Sequence, residues 1–255
     1  MKLLTTTLVT RLLLALYLIT PTASANFTDP LKSPLFDFMV ERFFPSEPYV
    51  FDNRVKVVAP NFAENSSQLP VFVDASALGQ VKKLLIFADL NPFQNIIEFE
   101  VGTLSPKISF NIKMQAGTPI RAAALADDGI WHIGGVYVDA MGGGCSAPSI
   151  GVADPEWQNR LGQISARLFK RPQGERLKIS IVHPQDTGMA AGIPEFFIQT
   201  LIIKDASGKQ TANLKLFEPL SENPVFTFES KQPFALSQVY FRDNNGNEFM
   251  YEVQP

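Results

Sequence analysis

The chain has 255 residues, of which 45% are hydrophobic and 18% charged, a globular composition with length enough for two sandwich-sized domains. A net charge of −3, with no run of Lys or Arg, gives no electrostatic footprint for nucleic acid or for an anionic membrane surface.

Lys2 and Arg11 precede the apolar stretch Leu12 to Ile19, and Ala23 and Ala25 are small residues ahead of a cleavage point. This is the pattern of a secretory signal peptide over residues 1–25. The apolar stretch is far short of the ~20 residues that span a bilayer, and no other segment reaches that length. The mature chain is therefore expected to start at Asn26 and to work in the periplasm, with no membrane attachment after cleavage.

From Val55 the chain breaks into short β-rich runs: Val55 to Val58, Pro70 to Val73, Lys82 to Ala88, Ile96 to Val101, Ile108 to Met114, Ile120 to Leu125 and Ile130 to Val138. Ile108, Phe110, Ile112 and Met114 alternate with Ser109, Asn111 and Lys113, the period of a strand with one buried face. Asn91-Pro92 and Asp127-Asp128-Gly129 mark turns. These runs predict a β-sandwich domain over residues 26–153, with a short helix around Asp37 to Phe43 ahead of its strands.

The next segment is Asp139-Ala140-Met141-Gly142-Gly143-Gly144-Cys145-Ser146-Ala147-Pro148. Gly142, Gly143 and Gly144 have nothing to bury and lose the most backbone entropy on ordering. The run is thus expected either to be a mobile arm or to pass closely against another surface. Cys145 is the one cysteine of the chain, so it has no internal disulfide partner, and an idle thiol in an oxidising compartment invites mixed disulfides. Its polar, small flanks predict an accessible thiol, and four extended residues would carry it on the order of 13 Å.

Residues 154–172 read as a helical linker. Asp154 is a candidate N-cap, Pro155 suits the first helical position, and Trp157, Leu161, Ile164 and Leu168 recur at helical spacing up to about Phe169. A second strand series fills residues 173–255: Arg176 to Val182, Phe196 to Lys204, Thr211 to Phe217, Val225 to Glu229, Ala235 to Phe241 and Glu248 to Val253. Asp205-Ala206-Ser207-Gly208 and Asn244-Asn245-Gly246-Asn247 are its hairpin connections. The expected fold is all-β, two sandwiches joined by a linker helix.

Little in the chain points to an enzyme. The two histidines, His132 and His183, share no short motif with Cys145, and one Cys with two scattered His is too few ligands for a zinc or copper site. Gly142 to Gly144 lacks the Lys-Ser or Lys-Thr of a phosphate loop. No cofactor is called for.

The glycine-cysteine segment joins other residues in a resemblance. Ala59-Pro60, Ala63-Glu64, Leu69-Pro70-Val71, Asp89 to Pro92 and Thr118-Pro119-Ile120-Arg121-Ala122 are similar to the SoxY subunit of the sulfur-oxidation carrier SoxYZ. His183-Pro184-Gln185-Asp186-Thr187-Gly188, Pro194 and Ser221-Glu222-Asn223-Pro224 are similar to its SoxZ subunit. The chain resembles a fusion of the two, and more closely the SoxYZ-like carriers associated with quinoprotein dehydrogenases. That resemblance implies two immunoglobulin-like sandwiches, Cys145 as the covalent attachment residue for a sulfur-containing or other thiol-reactive passenger, and Gly142 to Gly144 as its arm. It implies as partners periplasmic Sox-type enzymes, or a quinoprotein dehydrogenase and a c-type cytochrome. In the two-subunit carrier the cysteine sits at a free end, whereas here Ser146-Ala147-Pro148 continue the chain, so the arm is held at both sides. A part for His183 as proton acceptor oriented by Asp186, presenting the thiol or a partner loop, ranks behind a plain turn. The alternative to a carrier is a non-covalent adaptor for a dehydrogenase or cytochrome, with the thiol incidental.

Overall fold

The computed structural model describes residues 28–149, 156–234 and 236–253. The expected signal peptide and the expected cap at Asp154 and Pro155 lie outside the described residues. Helix α1 (Phe36–Phe43) comes first, where the short helix was expected, followed by β1 (Tyr49–Phe51), β2 (Lys56–Val58), β3 (Phe62–Ala63), β4 (Leu69–Asp74), β5 (Val81–Ala88), β6 (Asn95–Glu100), β7 (Lys107–Ile112), β8 (Thr118–Ala126) and β9 (Trp131–Ala140). Beyond Cys145 come the single turn α2 (Trp157–Arg160), then β10 (Ile164–Arg171), β11 (Gly174–Ile181), β12 (Asp186–Thr187), β13 (Glu195–Phe196), β14 (Ile198–Asp205), β15 (Gln210–Leu216), β16 (Val225–Ser230), β17 (Leu236–Asp243) and β18 (Glu248–Glu252).

These strands form two main sheets, and each sheet takes strands from both halves of the chain. The larger runs β1-β9-β8-β5-β6-β15-β14-β17-β18 and the smaller β10-β11-β16-β7-β4-β2. The halves meet edge to edge twice. Strand β6 pairs with β15, Leu214 opposite Phe99, and β7 pairs with β16, Phe228 opposite Ile108. One apolar cluster accordingly extends through both halves, from Val71, Ile86 and Ile120 to Leu177, Leu201 and Phe241. Phe99 and Phe228, on opposite sheets and opposite halves, meet edge to face with centroids 5.7 Å apart, a geometry that adds to the stabilisation from burial alone. The expected pair of sandwiches is thus a pair of sheets running through the whole molecule. Pairing across the halves removes the exposed edges that β6, β15, β7 and β16 would otherwise present.

The helical linker is a correction. Within 154–172, only Trp157–Arg160 is helical, and Ile164–Arg171 is a strand paired along its length with β11. Gly162 ends the helix at φ +78°, and a Cβ there would lie 2.0 Å from the Phe249 ring. Beyond it, Ile164 and Ala166 pack against the core while Ser165 and Arg167 face solvent, the period of a strand, and pairing with β11 decides between the two readings.

A second, smaller cluster places α1 on the outer face of the large sheet, where Phe36, Met39 and Phe44 cover Phe87, Ala123 and Trp131. Arg121 lies beneath it, 1% exposed. Its guanidinium donates to Asp89 at 2.9 Å and to Asp29 at 2.7 Å, and sits 4.3 Å from the centroid of the Phe36 ring. Burial is the main influence on Asp89 and raises its pKa despite Arg121, whereas Asp29, less buried, is pulled down by Arg121 and by the backbone amides of Ser33 and Leu31. Removing one member of a buried charge network strands the others. The Arg121→Met variant is expected to lose about 3–5 kcal/mol of stability by urea unfolding, with part of the loss recovered when Asp89→Asn is added.

Candidate functional site

Strand β9 ends at Ala140, and the chain then doubles back over the end of β7. Met141 is 91% exposed, yet four residues later Cys145 is 1% exposed. The expected accessible thiol is therefore docked and covered in this structure. Of the two readings open for the glycines, close approach is the one observed. Gly144 donates its N–H to the Met114 carbonyl at 2.9 Å, and a Cβ on it would lie 2.0 Å from the Ser66 carbonyl oxygen and 2.7 Å from that of Met114. Gly142 has φ +94° and a Cβ there would be 2.5 Å from the Gln115 carbonyl oxygen. At Gly143 the space is open and only the backbone angle, φ +83°, calls for glycine. No larger residue could take this path without moving the carbonyls it crosses.

The thiol faces a polar cradle. Its acceptors are the Lys113 carbonyl at 3.6 Å and Asn91 Oδ1 at 3.8 Å. Asn91 is itself fixed, donating Nδ2 to the same Lys113 carbonyl at 3.1 Å and accepting the Gln115 N–H at 2.9 Å. Gln115 holds the other side of the cysteine, accepting the Ser146 N–H at 3.2 Å and donating to the Ser146 hydroxyl at 3.3 Å. Burial outweighs the help that Asn91 and the Lys113 charge give a thiolate, and the thiol is pushed up to about 11. It is neutral near pH 7.

The second half of the chain closes the cradle. Thr187 donates its hydroxyl to the Cys145 carbonyl at 2.5 Å. Asp186 accepts both the N–H and the hydroxyl of Ser149, each at 3.1 Å. The Lys113 ammonium, 3% exposed, donates to the Gln185 carbonyl. Burial lowers the Lys113 pKa, while the charges of Asp186 and Glu222 act to keep its proton. The cysteine segment of the first half thus lies against Gln185, Asp186 and Thr187 of the second.

The dyad of His183 and Asp186, which ranked behind a plain turn, does not form. His183 is fully buried, its Nδ1 accepts the Gln185 N–H at 3.2 Å, its ring lies 4.4 Å from that of Phe196, and its Nε2 is 3.6 Å from Asp243 rather than near Asp186. Burial drives His183 down to about 4, so it is neutral and structural in this setting. Asp186 is spent on Ser149. His132 is equally occupied, with Asp52 at 2.8 Å from Nδ1 and Asp128 at 3.0 Å from Nε2. Among the described residues no three His, Cys, Asp or Glu side chains gather closely enough to hold a metal ion.

Asn91, Lys113, Gln115 and Thr187 escaped the sequence reading. Asn91 reads as a turn residue, Lys113 as the solvent side of a strand and Thr187 as a loop former. Only a pairing of sequence-distant segments makes them neighbours of the sulfur.

Below pH about 8 the thiol is largely neutral whether the chain is folded or unfolded. Above that value the unfolded chain ionises first, so folding stability falls until the folded thiol ionises near pH 11. Between about pH 8.5 and 11 the protein is expected to lose about 2 kcal/mol more than its Cys145→Ala variant, read from urea unfolding of the two side by side.

Residues 40–145 match the family model of the sulfur oxidation protein SoxY. Among solved structures, the sulfur carrier protein SoxY from Chlorobium limicola f thiosulfatophilum is similar at 23% identity and a TM-score of 0.38, covering 42% of this chain and 96% of that one. No curated protein matches the chain. The first-half residues that cradle the thiol, Asn91, Lys113 and Gln115, fall inside the stretch that matches the SoxY family, and Cys145 is its last residue.

Proposed function

We propose that the chain is a periplasmic covalent carrier that holds a sulfur-containing or other thiol-reactive intermediate on Cys145 and presents it to partner enzymes. One observation carries this reading: the match to the SoxY family ends on the sole cysteine of the chain, which lies where the two halves meet. The second half is then the counterpart of SoxZ, fused to the carrier domain and supplying the wall against which the thiol rests. Sox-type enzymes, or a quinoprotein dehydrogenase with its c-type cytochrome, are the partners in this reading. The protein itself performs no catalysis.

Carriage requires that Cys145 leave its cradle. Departure gives up the Thr187 bond to the Cys145 carbonyl, the Gly144 bond to Met114 and the Gln115 bonds to Ser146, each worth about 1 kcal/mol against water. Held shut, the thiol is protected from stray oxidants; open, it is an ordinary exposed cysteine. Thr187→Val removes one tie and is expected to speed iodoacetamide alkylation of Cys145 by about five- to tenfold, followed by intact mass against time. An unchanged rate would mean that Thr187 does not help keep the segment closed.

The burial of Cys145 favours the second reading, a non-covalent adaptor for a dehydrogenase or its cytochrome, in which the thiol is incidental. The two separate on protein taken from its native host. A carrier shows a mass increment on Cys145 that reductant or a partner removes, and Cys145→Ser abolishes host function. An adaptor shows free thiol and a working Cys145→Ser variant.

A further inference from the structure

We propose that the solvent face of β10 and β11 is a docking surface for an acidic segment of a partner protein. In the β10–β11 ladder Arg167 stands directly opposite Lys178, Phe169 opposite Arg176 and Arg171 opposite Gly174. Leu177, Ile179 and Ile181 occupy the alternate positions of β11 and are buried, so the basic residues all point outward. Like charges placed opposite each other across a ladder oppose its formation. The acids that share this face are already engaged: Glu229 is 2.5 Å from Arg176 and 3.8 Å from Lys107, and Asp74 is 3.1 Å from Lys107. Among the described residues, Arg167, Arg171 and Lys178 have no carboxylate within ion-pair distance.

The positive charge is concentrated against the trend of the whole chain, whose net charge is −3. Beyond Arg171 and Arg176 it continues into a groove of about 810 Å³ that Lys107 and Lys231 also line, where Glu229 is paired with Arg176 and Glu175 accepts the Phe234 N–H. Within that groove Arg176 Nε is buried with no acceptor. Phe169, 43% exposed, offers an apolar contact amid the charges. From Arg167 to Arg171 the strip is about 13 Å long at the rise of a strand, longer than any single small oxyanion, and that extent fits a run of Asp and Glu on a protein. Strand β11 leads at its Ile181 end into His183 and the residues that hold the cysteine segment, while the groove lies at the opposite, Gly174 end of the strand. This surface stands on charge and register and is independent of whether Cys145 carries cargo.

The test uses the mature chain and a fluorescein-labelled poly-glutamate peptide of about 20 residues, followed by anisotropy at low and physiological salt. Arg167→Glu/Lys178→Glu is expected to weaken binding at least about tenfold, and the neutral pair Arg167→Gln/Lys178→Gln by an intermediate factor. Reversal at Lys32 and Lys209, exposed elsewhere on the molecule, is expected to cost less than about twofold. Arg167→Glu alone is expected to raise Tm, since it turns a repulsive cross-strand pair into an attractive one. Equal losses from both reversed pairs, no binding at low salt, or an unchanged or lowered Tm for Arg167→Glu would overturn the proposal. So would sodium sulfate displacing the peptide at equal charge concentration, which would mark a small-anion site. A dimer in sedimentation that the Arg167→Glu/Lys178→Glu variant dissolves would assign the face to a second copy instead.

Discussion

The arrangement around the cysteine depends on the burial of one ammonium group. Lys113 projects from the end of β7 into the seam between the halves, where desolvation works against its charge. A buried cation without partners costs several kcal/mol, and here the compensation comes from the other half of the chain: the Gln185 carbonyl in direct contact and the Asp186 carboxylate nearby. The same residue offers its own carbonyl to the thiol and to Asn91. Lys113 therefore fixes the second-half segment and the sulfur with opposite ends of one residue.

Sheet continuity makes this seam dependable. Because β6 pairs with β15 and β7 with β16, the register between halves is set by backbone hydrogen bonds and by the alternation of buried and exposed side chains. A slip of one residue would turn Leu214, Leu216, Phe226 and Phe228 away from the core. The polar contacts at the thiol are few and individually weak, and they are accurate because the sheets on either side cannot shift. Asp89, paired with the buried Arg121, lies two residues before Asn91, so the charge network under α1 braces the same end of the cradle.

Much of the strand content was legible in the sequence, since Ile108, Phe110, Ile112 and Met114, and likewise Leu177, Ile179 and Ile181, carry their periodicity openly and are buried as it requires. The segment from Trp157 to Phe169 was not. Ile164 and Leu168, four residues apart, fit helical spacing as well as strand spacing, and only the β11 partner decides the matter. Pairing between halves was equally hidden, because nothing in β6 or β15 alone names the other as its neighbour. The candidate site divides along the same line. Cys145 stood out by its solitude and the glycines by their run, but flanking residues are a poor guide to burial when the covering atoms come from Asn91, Lys113 and Thr187, distant in sequence. Glycine has two uses, freedom and thinness, and composition does not distinguish them.

Thinness at Gly144 has a geometric corollary. The backbone is wedged between the Ser66 and Met114 carbonyls, and the sulfur faces Lys113 and Asn91 with almost none of the residue open to solvent. Anything added to that sulfur must occupy volume now filled by the cradle. A laden molecule and an empty one would then differ in outline at the seam, and a partner could tell them apart by touch, without recognising the cargo at all.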